Sequence, residues 1–516
     1  MAPSIFQTGD DLLQLIASLT NESKFKRRDF VEPLIGFCTN NAFNSKLGII
    51  FGLRSTGKTV GMLQAAEYLL QQGNKVGYAR FNYQESRMSD AKAEIEALGT
   101  SGYTHLFIDE APYLEGFMNR CAEWSDLLVP IYRLKIIITG TDSFLLWFAM
   151  HRGLYHRYEC FLTNRNTFSE SKRLLGQSYD EYKAHGGLLL AEGATVSELP
   201  LDKDAHIENF IHDAIVDNLI HSLEQCKEDY ATGSHYLNRL YTIDKPVIFK
   251  CVIALLESTA ELMIKKNLIA SEQSDSGLGE IISEWSAHET SDDIKDRIVD
   301  QIEIFQKLIK LDNPKDSIIV LLEFLTNIGL FIETGSSFSD LSRMQITLCF
   351  AHPALLSYAL DQAKNAIIQA VSVSDASAFS KSLAEASEEA LNENIVNSHF
   401  IRLSDYDDNI FFYHDDKGRE IDVVSVNRRL NRVRLVEVES KSKIDDRMVF
   451  KNEAKDLYVK EILKYIGVNK SFSITRIIAY KGENKRIANV KGDLFLLNIE
   501  DLLCRLKDLD AFIEEI

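Results

Sequence analysis

The sequence predicts an α/β fold with a mainly parallel sheet in its first part, a helix-rich middle, and a second α/β unit toward its carboxyl end. Three observations carry that expectation. Between Lys46 and Ile138 short apolar runs of strand length alternate with stretches of helical spacing, the pattern of strands joined by crossover helices. The first run, Lys46 to Phe51, leads into G-L-R-S-T-G-K-T at Gly52 to Thr59, and Val60 to Gln72 follows with apolar residues on one helical face. Beyond a Ser- and Ala-rich stretch at Val371 to Ser382, a helix is followed by alternating strands around a D-K-G turn.

The Gly52 to Thr59 run meets the G-x-x-x-x-G-K-[S/T] phosphate-loop pattern in the right context, strand before and helix after. Gly52 and Gly57 let the backbone wrap a phosphate without Cβ clashes. The N–H groups of Leu53, Arg54, Ser55, Thr56 and the helix start then face the anion. Lys58 adds a charge for the β- and γ-phosphates of ATP, and the Thr59 hydroxyl is placed to hold Mg²⁺.

Such a site needs an apolar strand ending in acid, and Thr104 to Glu110 (T-H-L-F-I-D-E) supplies one. Asp109 is expected in the Mg²⁺ shell and Glu110 as the group that polarises the attacking water. A further strand, Leu134 to Ile138, runs into T-G-T-D-S, where Thr141 is read either as a γ-phosphate sensor or as an ordinary polar turn.

Composition narrows the function classes. With 45% hydrophobic and 26% charged residues the chain is that of a water-soluble protein, and 516 residues suit about three domains. No apolar run reaches a membrane span and no basic-then-apolar leader opens the chain, so a cytoplasmic location without membrane contact is expected. Seven scattered cysteines without C-x-x-C spacing argue against a disulfide framework or a zinc site. A net charge of −19 confines any nucleic-acid contact to a local patch. The basic run at Lys24 to Arg28 reads as a solvated turn.

Further motifs are H-R-Y-E at His156 to Glu159, T-F-S-E at Thr167 to Glu170, and Y-D-E-Y-K-A-H-G-G at Tyr179 to Gly187. Together with the loop, F-I-D-E and T-G-T-D-S, they resemble a large bacterial and archaeal family of AAA+-type ATPases with a C-terminal PD-(D/E)xK nuclease-like domain. The resemblance covers the chain from about residue 30 to its end and is weak between residues 200 and 310. It implies ATP and Mg²⁺ as ligands, and a homo-oligomer in which Arg157 serves as an arginine finger. Here His156 stands where the family has glycine, and N-T-F-S where it has P-L-S-F.

Residues 200 to 365 read as helix-rich. The segment Ser317 to Thr334 followed by the strand Ile346 to Phe350 has the outline of a winged helix, which serves either as a DNA contact or as an interaction module. In the last part Glu393, Asp422 and Glu437 occupy positions that resemble the metal site of a PD-(D/E)xK core, a restriction-endonuclease-like α/β domain. Two carboxylates on neighbouring strands share a divalent metal well. Glu439 stands where the family has lysine, and Lys441 lies two residues on, on the same strand face. An impaired and an active nuclease are both consistent with this. Arg428, Arg429, Arg432 and Arg434 form a basic cluster, read as a nucleic-acid grip or a solvated hairpin.

The expected organisation is a leading segment 1–45, a P-loop AAA+-like ATPase domain 46–200, a helical and winged-helix-like domain 201–370, a linker 371–390, and a nuclease-like domain 391–516. The expected function is ATP binding and hydrolysis, acting on or regulated by nucleic acid. The alternatives are a nucleotide-dependent switch or scaffold and an ATP-regulated metal-dependent nuclease.

Overall fold

The structure, a computed structural model, describes residues 5–20, 25–40, 45–82, 87–151, 153–163, 166–186, 203–222, 245–272, 325, 330–337, 346–370, 376–403, 408–414, 420–444, 472–488 and 494–516. Six strands form the first sheet: β1 (Gln7–Thr8), β2 (Leu47–Phe51), β3 (Val76–Arg80), β4 (His105–Asp109), β5 (Lys135–Thr139) and β6 (Tyr158–Leu162). Their order is β1-β3-β4-β5-β2-β6, and every pairing is parallel except that of the edge strand β1.

The apolar runs explain the layering. β2 reads L-G-I-I-F and is buried throughout, as a strand covered on both faces must be. Ile50, Phe107 and Ile137 face a layer of α1 (Gly9–Leu19), α2 (Val31–Thr39) and α3 (Lys58–Gln71). Ile49, Ile108 and Ile138 face the opposite layer, with α4 (Met88–Thr100), α5 (Phe117–Glu123), α6 (Val129–Tyr132) and α7 (Ser143–His151). The chain leaving β2 passes through α3 to β3, three strands away, so a crevice opens beyond the carboxyl end of β2, where α/β sheets bind ligands.

The chain then forms α8 (Phe168–Leu175), α9 (Tyr179–His185), α10 (Lys203–Phe210) continued helically to residue 222, and α11 (Lys245–Glu272). After these come β7 (Phe331–Ser337), β8 (Ile346–Phe350), α12 (Pro353–Ala370) and α13 (Ala376–Leu403). The second sheet adds β9 (Asp408–His414), β10 (Glu420–Asn427), β11 (Arg432–Val438), β12 (Ser473–Tyr480), β13 (Lys485–Ile487) and β14 (Leu494–Asn498), before α14 (Ile499–Arg505) and α15 (Leu509–Glu515). Its order is β13-β14-β12-β11-β10-β9-β7-β8.

Two expectations change here. The Ser- and Ala-rich stretch expected as a linker is helical from Ala376 onward. Phe379, Leu383, Ala386 and Ala390 recur at helical spacing and are buried, and Ala, Leu and Glu are strong helix formers. The two strands expected as a wing do pair antiparallel, but β7 also pairs in parallel with β9, so they extend the second sheet. Residues 317–324 and the D-K-G turn at 416–418 lie outside the described residues.

α13 joins the two halves. Leu391, Ile395, Val396 and Phe400 share one core with Val423, Val436, Val438 and Ile477 of the second sheet. The same helix meets the first half through Nε2 of His399, which accepts the Phe168 N–H at 2.8 Å, and through Asn392 Oδ1, which accepts the Tyr179 hydroxyl at 2.8 Å. Burial, aided by Arg402, pushes the pKa of His399 down to about 3, so the ring is neutral. Its Nδ1 therefore carries the proton, donated to Ile395 O at 2.7 Å. The cysteines among the described residues are free thiols, and no described helix is long and apolar enough to cross a membrane.

Gly140 marks a close approach between the turn after β5 and the turn after β4. A Cβ there would lie 2.6 Å from the ring of Pro112, which cannot rotate away. Gly140→Ala should therefore destabilise the protein by about 1–3 kcal/mol through overpacking, read as a lower denaturant midpoint at unchanged m-value. An unchanged midpoint would show that the two turns are not held together.

Candidate functional site at the carboxyl ends of β2, β4 and β5

The phosphate loop lies where β2 gives way to the 14-residue helix α3. Gly57 caps that helix with φ of 77°, a left-handed conformation that a residue without Cβ adopts freely. Leu53 and Thr56 are buried, whereas Arg54 and Ser55 are exposed. Lys58 is 6% exposed, and its Nζ donates to Gly52 O at 2.8 Å and Leu53 O at 2.7 Å. Burial pulls its pKa down to about 8 against the pull of Glu110 and Asp109. A buried ammonium facing backbone carbonyls at a helix amino end suits a polyanion.

Thr59 and Asp109 meet: the hydroxyl donates to Asp109 Oδ2 at 2.9 Å. Tyr78 donates to the same oxygen at 3.1 Å, and Oδ1 accepts the Glu110 N–H at 3.1 Å. A hydroxyl and a carboxylate this close, on separate elements and beside the loop, form an oxygen pair that fits Mg²⁺. Glu110 sits in a left-handed backbone turn with φ of 57° and is 4% exposed. Its Oε2 accepts the Thr141 N–H at 2.7 Å and the Thr141 hydroxyl at 3.0 Å. Burial, and then the Asp109 charge, push the pKa of Glu110 up, opposed by the Thr141 bonds and Lys58. Glu110 and Thr141, expected in separate roles, are thus direct partners.

Other side chains around the site carry little sequence signal. Asp142 accepts the Ser222 hydroxyl and faces His221 Nδ1 at 3.0 Å, while Thr141 O accepts Asn218 Nδ2 at 3.1 Å. The helical segment 203–222 is thereby tied to the turn that holds Glu110. Arg28 corrects the reading of its basic run as solvated. It is 6% exposed and makes a two-pronged pair with Glu170, 2.9 Å from Nε to Oε1 and 2.8 Å from Nη2 to Oε2. Its remaining nitrogen, Nη1, donates to Thr56 O in the loop and to Thr163 O at 2.9 Å. Beside it lies a cavity of about 590 Å³ lined by Phe30, Pro33, Phe161, Leu162, Arg402 and Lys507 among others.

Arg157 is not part of this site within its own chain. It precedes β6, whose carboxyl end is near the loop, so roughly 16 Å of strand separates the two. It is half-exposed and pairs with Asp126 at 2.6 Å.

In the second sheet the expected carboxylates do not come together as a set. Glu393 points to Lys266 at 3.4 Å. Alternation along β11 puts Glu437 with Val433 and Leu435, on the face opposite Val436 and Val438, which pack against α13. An extra residue between Ile421 and Val424 bulges β10, and Asp422 accepts the Val438 N–H at 2.8 Å. The helix carboxylate that shares the field of Asp422 and Glu439 is Glu389, one turn before Glu393. Burial, then Glu439 and Asp422, raise its pKa to about 7, with Lys441 opposing. The E-x-x-x-E spacing on a helix was the available signal for Glu389. Among the described residues, three ligand atoms within 4.8 Å of one another occur at His212, Asp213 and Asp217, not at Glu393, Asp422 and Glu437.

The basic cluster is also reduced. Arg432 and Arg434 are buried and both pair with Asp510, Arg434 at 2.6 Å. Arg428 and Arg429 are exposed on the turn between β10 and β11.

An uncharacterised protein of Haemophilus influenzae is 24% identical over an alignment of 220 residues that covers 39% of this chain and 52% of that relative. The match thus spans about half of the relative's length. Residues 44–172 match the family described as an AAA domain. With its parallel sheet and phosphate loop, this stretch is an AAA domain of the AAA ATPase family, a domain type that implies ATP binding and hydrolysis.

Proposed function

We propose that this protein binds and hydrolyses ATP at the carboxyl ends of β2, β4 and β5. The supporting observation is the convergence there of Lys58, the Thr59–Asp109 pair and the buried Glu110. Gly52, Leu53, Arg54, Ser55, Thr56 and Gly57 offer backbone N–H groups to the phosphates, Lys58 offers charge, and Thr59 and Asp109 hold Mg²⁺, which would neutralise phosphate charge. Glu110 takes the proton of the attacking water. Its raised pKa brings it nearer neutral operating pH, and Thr141 orients its carboxylate.

Arg157 lies on the surface and far from its own loop, so its catalytic contribution would go to a neighbouring copy. The second sheet acts as a binding module: Glu439 replaces the expected lysine, Glu393 faces Lys266, and two of the four arginines are neutralised. A switch-like ATPase is the second reading. The ties of Asn218, His221 and Ser222 to the Glu110-holding turn favour it, since they couple the helical segment to the site.

Lys58→Ala removes charge-assisted bonds worth about 1.5–3 kcal/mol each and should weaken ATP binding by roughly 10- to 100-fold. Glu110→Gln should leave affinity within about threefold and lower turnover by roughly 10²- to 10⁴-fold. Equal turnover in wild type and Glu110→Gln would remove Glu110 from the reaction.

Because the Lys58 pKa is about 8 in the free protein, binding above that pH requires proton uptake. ATP affinity should be flat below pH 8 and fall above it, approaching about tenfold per pH unit. Lys58→Arg should abolish this slope, and titration calorimetry across pH 7 to 10 reads both.

Glu389 gives a stability test. Its folded pKa of about 7 exceeds its ordinary value of 4.5, so the folded state holds the extra proton between those pH values and loses stability as pH rises through them. Glu389→Gln should raise Tm at pH 8 more than at pH 5. An equal effect at both pH values would contradict the shared field with Asp422 and Glu439.

A further inference from the structure

We infer that Arg28 and Glu170 are positioning residues for phosphate binding, because together they set the orientation of the Thr56–Gly57 peptide in the loop. This rests on the reading of the loop as an ATP site. Among the described residues Arg28 is the side chain that bonds the Thr56 carbonyl, and it comes from the segment before α2, 28 residues away. A trans peptide is planar, with its C=O and N–H directed oppositely. Holding Thr56 O inward on the guanidinium therefore turns the Gly57 N–H outward, at the amino end of α3 where a phosphate would bind.

The rest of the arrangement fixes the guanidinium itself. Glu170 occupies two of its nitrogens and also accepts the Asp29 N–H at 2.7 Å. Thr163 O takes the same Nη1 that holds Thr56, and the Thr56 and Thr163 hydroxyls meet at 2.6 Å. Glu170 is itself located by its helix, since its backbone N–H donates to the Thr167 hydroxyl at 3.3 Å. The plane of Arg28 is thus set from three directions, and Gly57, which has no Cβ to resist rotation, takes its orientation from it.

Arg28 and Glu170 also line the 590 Å³ cavity, so the test must separate an effect on phosphates from an effect on the rest of the nucleotide. Binding of ATP and of inorganic triphosphate is measured by calorimetry for wild type, Arg28→Met, Arg28→Lys and Glu170→Gln. Turnover at saturating ATP and hydrogen exchange of the loop peptide are followed in parallel. Arg28→Met should weaken ATP and triphosphate alike, by roughly tenfold, with saturated turnover within about threefold and faster exchange at residues 52–59. Glu170→Gln, which keeps hydrogen bonds and loses charge, should give a smaller loss, and Arg28→Lys a partial recovery.

Should Arg28→Met fail to fold, Glu170→Gln decides. Wild-type affinity for triphosphate in a folded variant overturns the inference, as does a loss confined to ATP. Absence of ATP and triphosphate binding in the wild type would instead overturn the ATP reading on which it stands.

Discussion

The buried guanidinium of Arg28 fastens together segments distant in the chain: the approach to α2, the phosphate loop, the end of β6 and the start of α8. An arginine and a glutamate this deeply buried are costly to desolvate, and the pair persists because every nitrogen or oxygen that would otherwise be stranded finds a partner. The consequence extends beyond the loop. α8 carries Glu170 near its amino end, where Phe168 N–H meets His399 of α13, and α13 carries Glu389 about 15 Å further back along its axis. One helix therefore connects the loop's support to the carboxylates of the second sheet.

Within the crevice the charges define one another. Lys58 is poorly solvated and is kept cationic by Glu110 and Asp109, while Glu110 is pushed toward neutrality by burial and by Asp109. Triphosphate and a divalent cation would enter a site already arranged as alternating charge, which favours binding as a unit over binding of either alone. The turn carrying Thr141 and Asp142 adds a connection to the helical segment, so the turn that bonds the group proposed to handle the proton of water also bonds that segment.

Much of the first half was legible because its signals are local. A strand, a glycine-containing loop and a helix are consecutive in sequence, and apolar runs flanked by acid mark buried parallel strands. The pairings that organise the site were not local: Arg28 with Glu170 is separated by 142 residues, and Asp142 with Ser222 by 80. Nothing in K-F-K-R-R distinguishes the one arginine that turns inward. In the second half the strands were legible, but a one-residue bulge and a one-turn offset on α13 decide which carboxylates face one another, and such offsets do not show in composition. The Ser-rich stretch has the composition of a linker, yet Phe379 and Leu383 stand among its serines at helical spacing and are buried.

The central claim is that a Mg²⁺-dependent ATP site forms at the ends of β2, β4 and β5. Its most direct test is calorimetric titration of the wild-type chain with a non-hydrolysable ATP analogue, with Mg²⁺ present and with EDTA in its place. The account predicts one saturable site per chain, substantially weakened by EDTA because Thr59 and Asp109 act through the metal. No saturable binding, or binding indifferent to Mg²⁺, would contradict it.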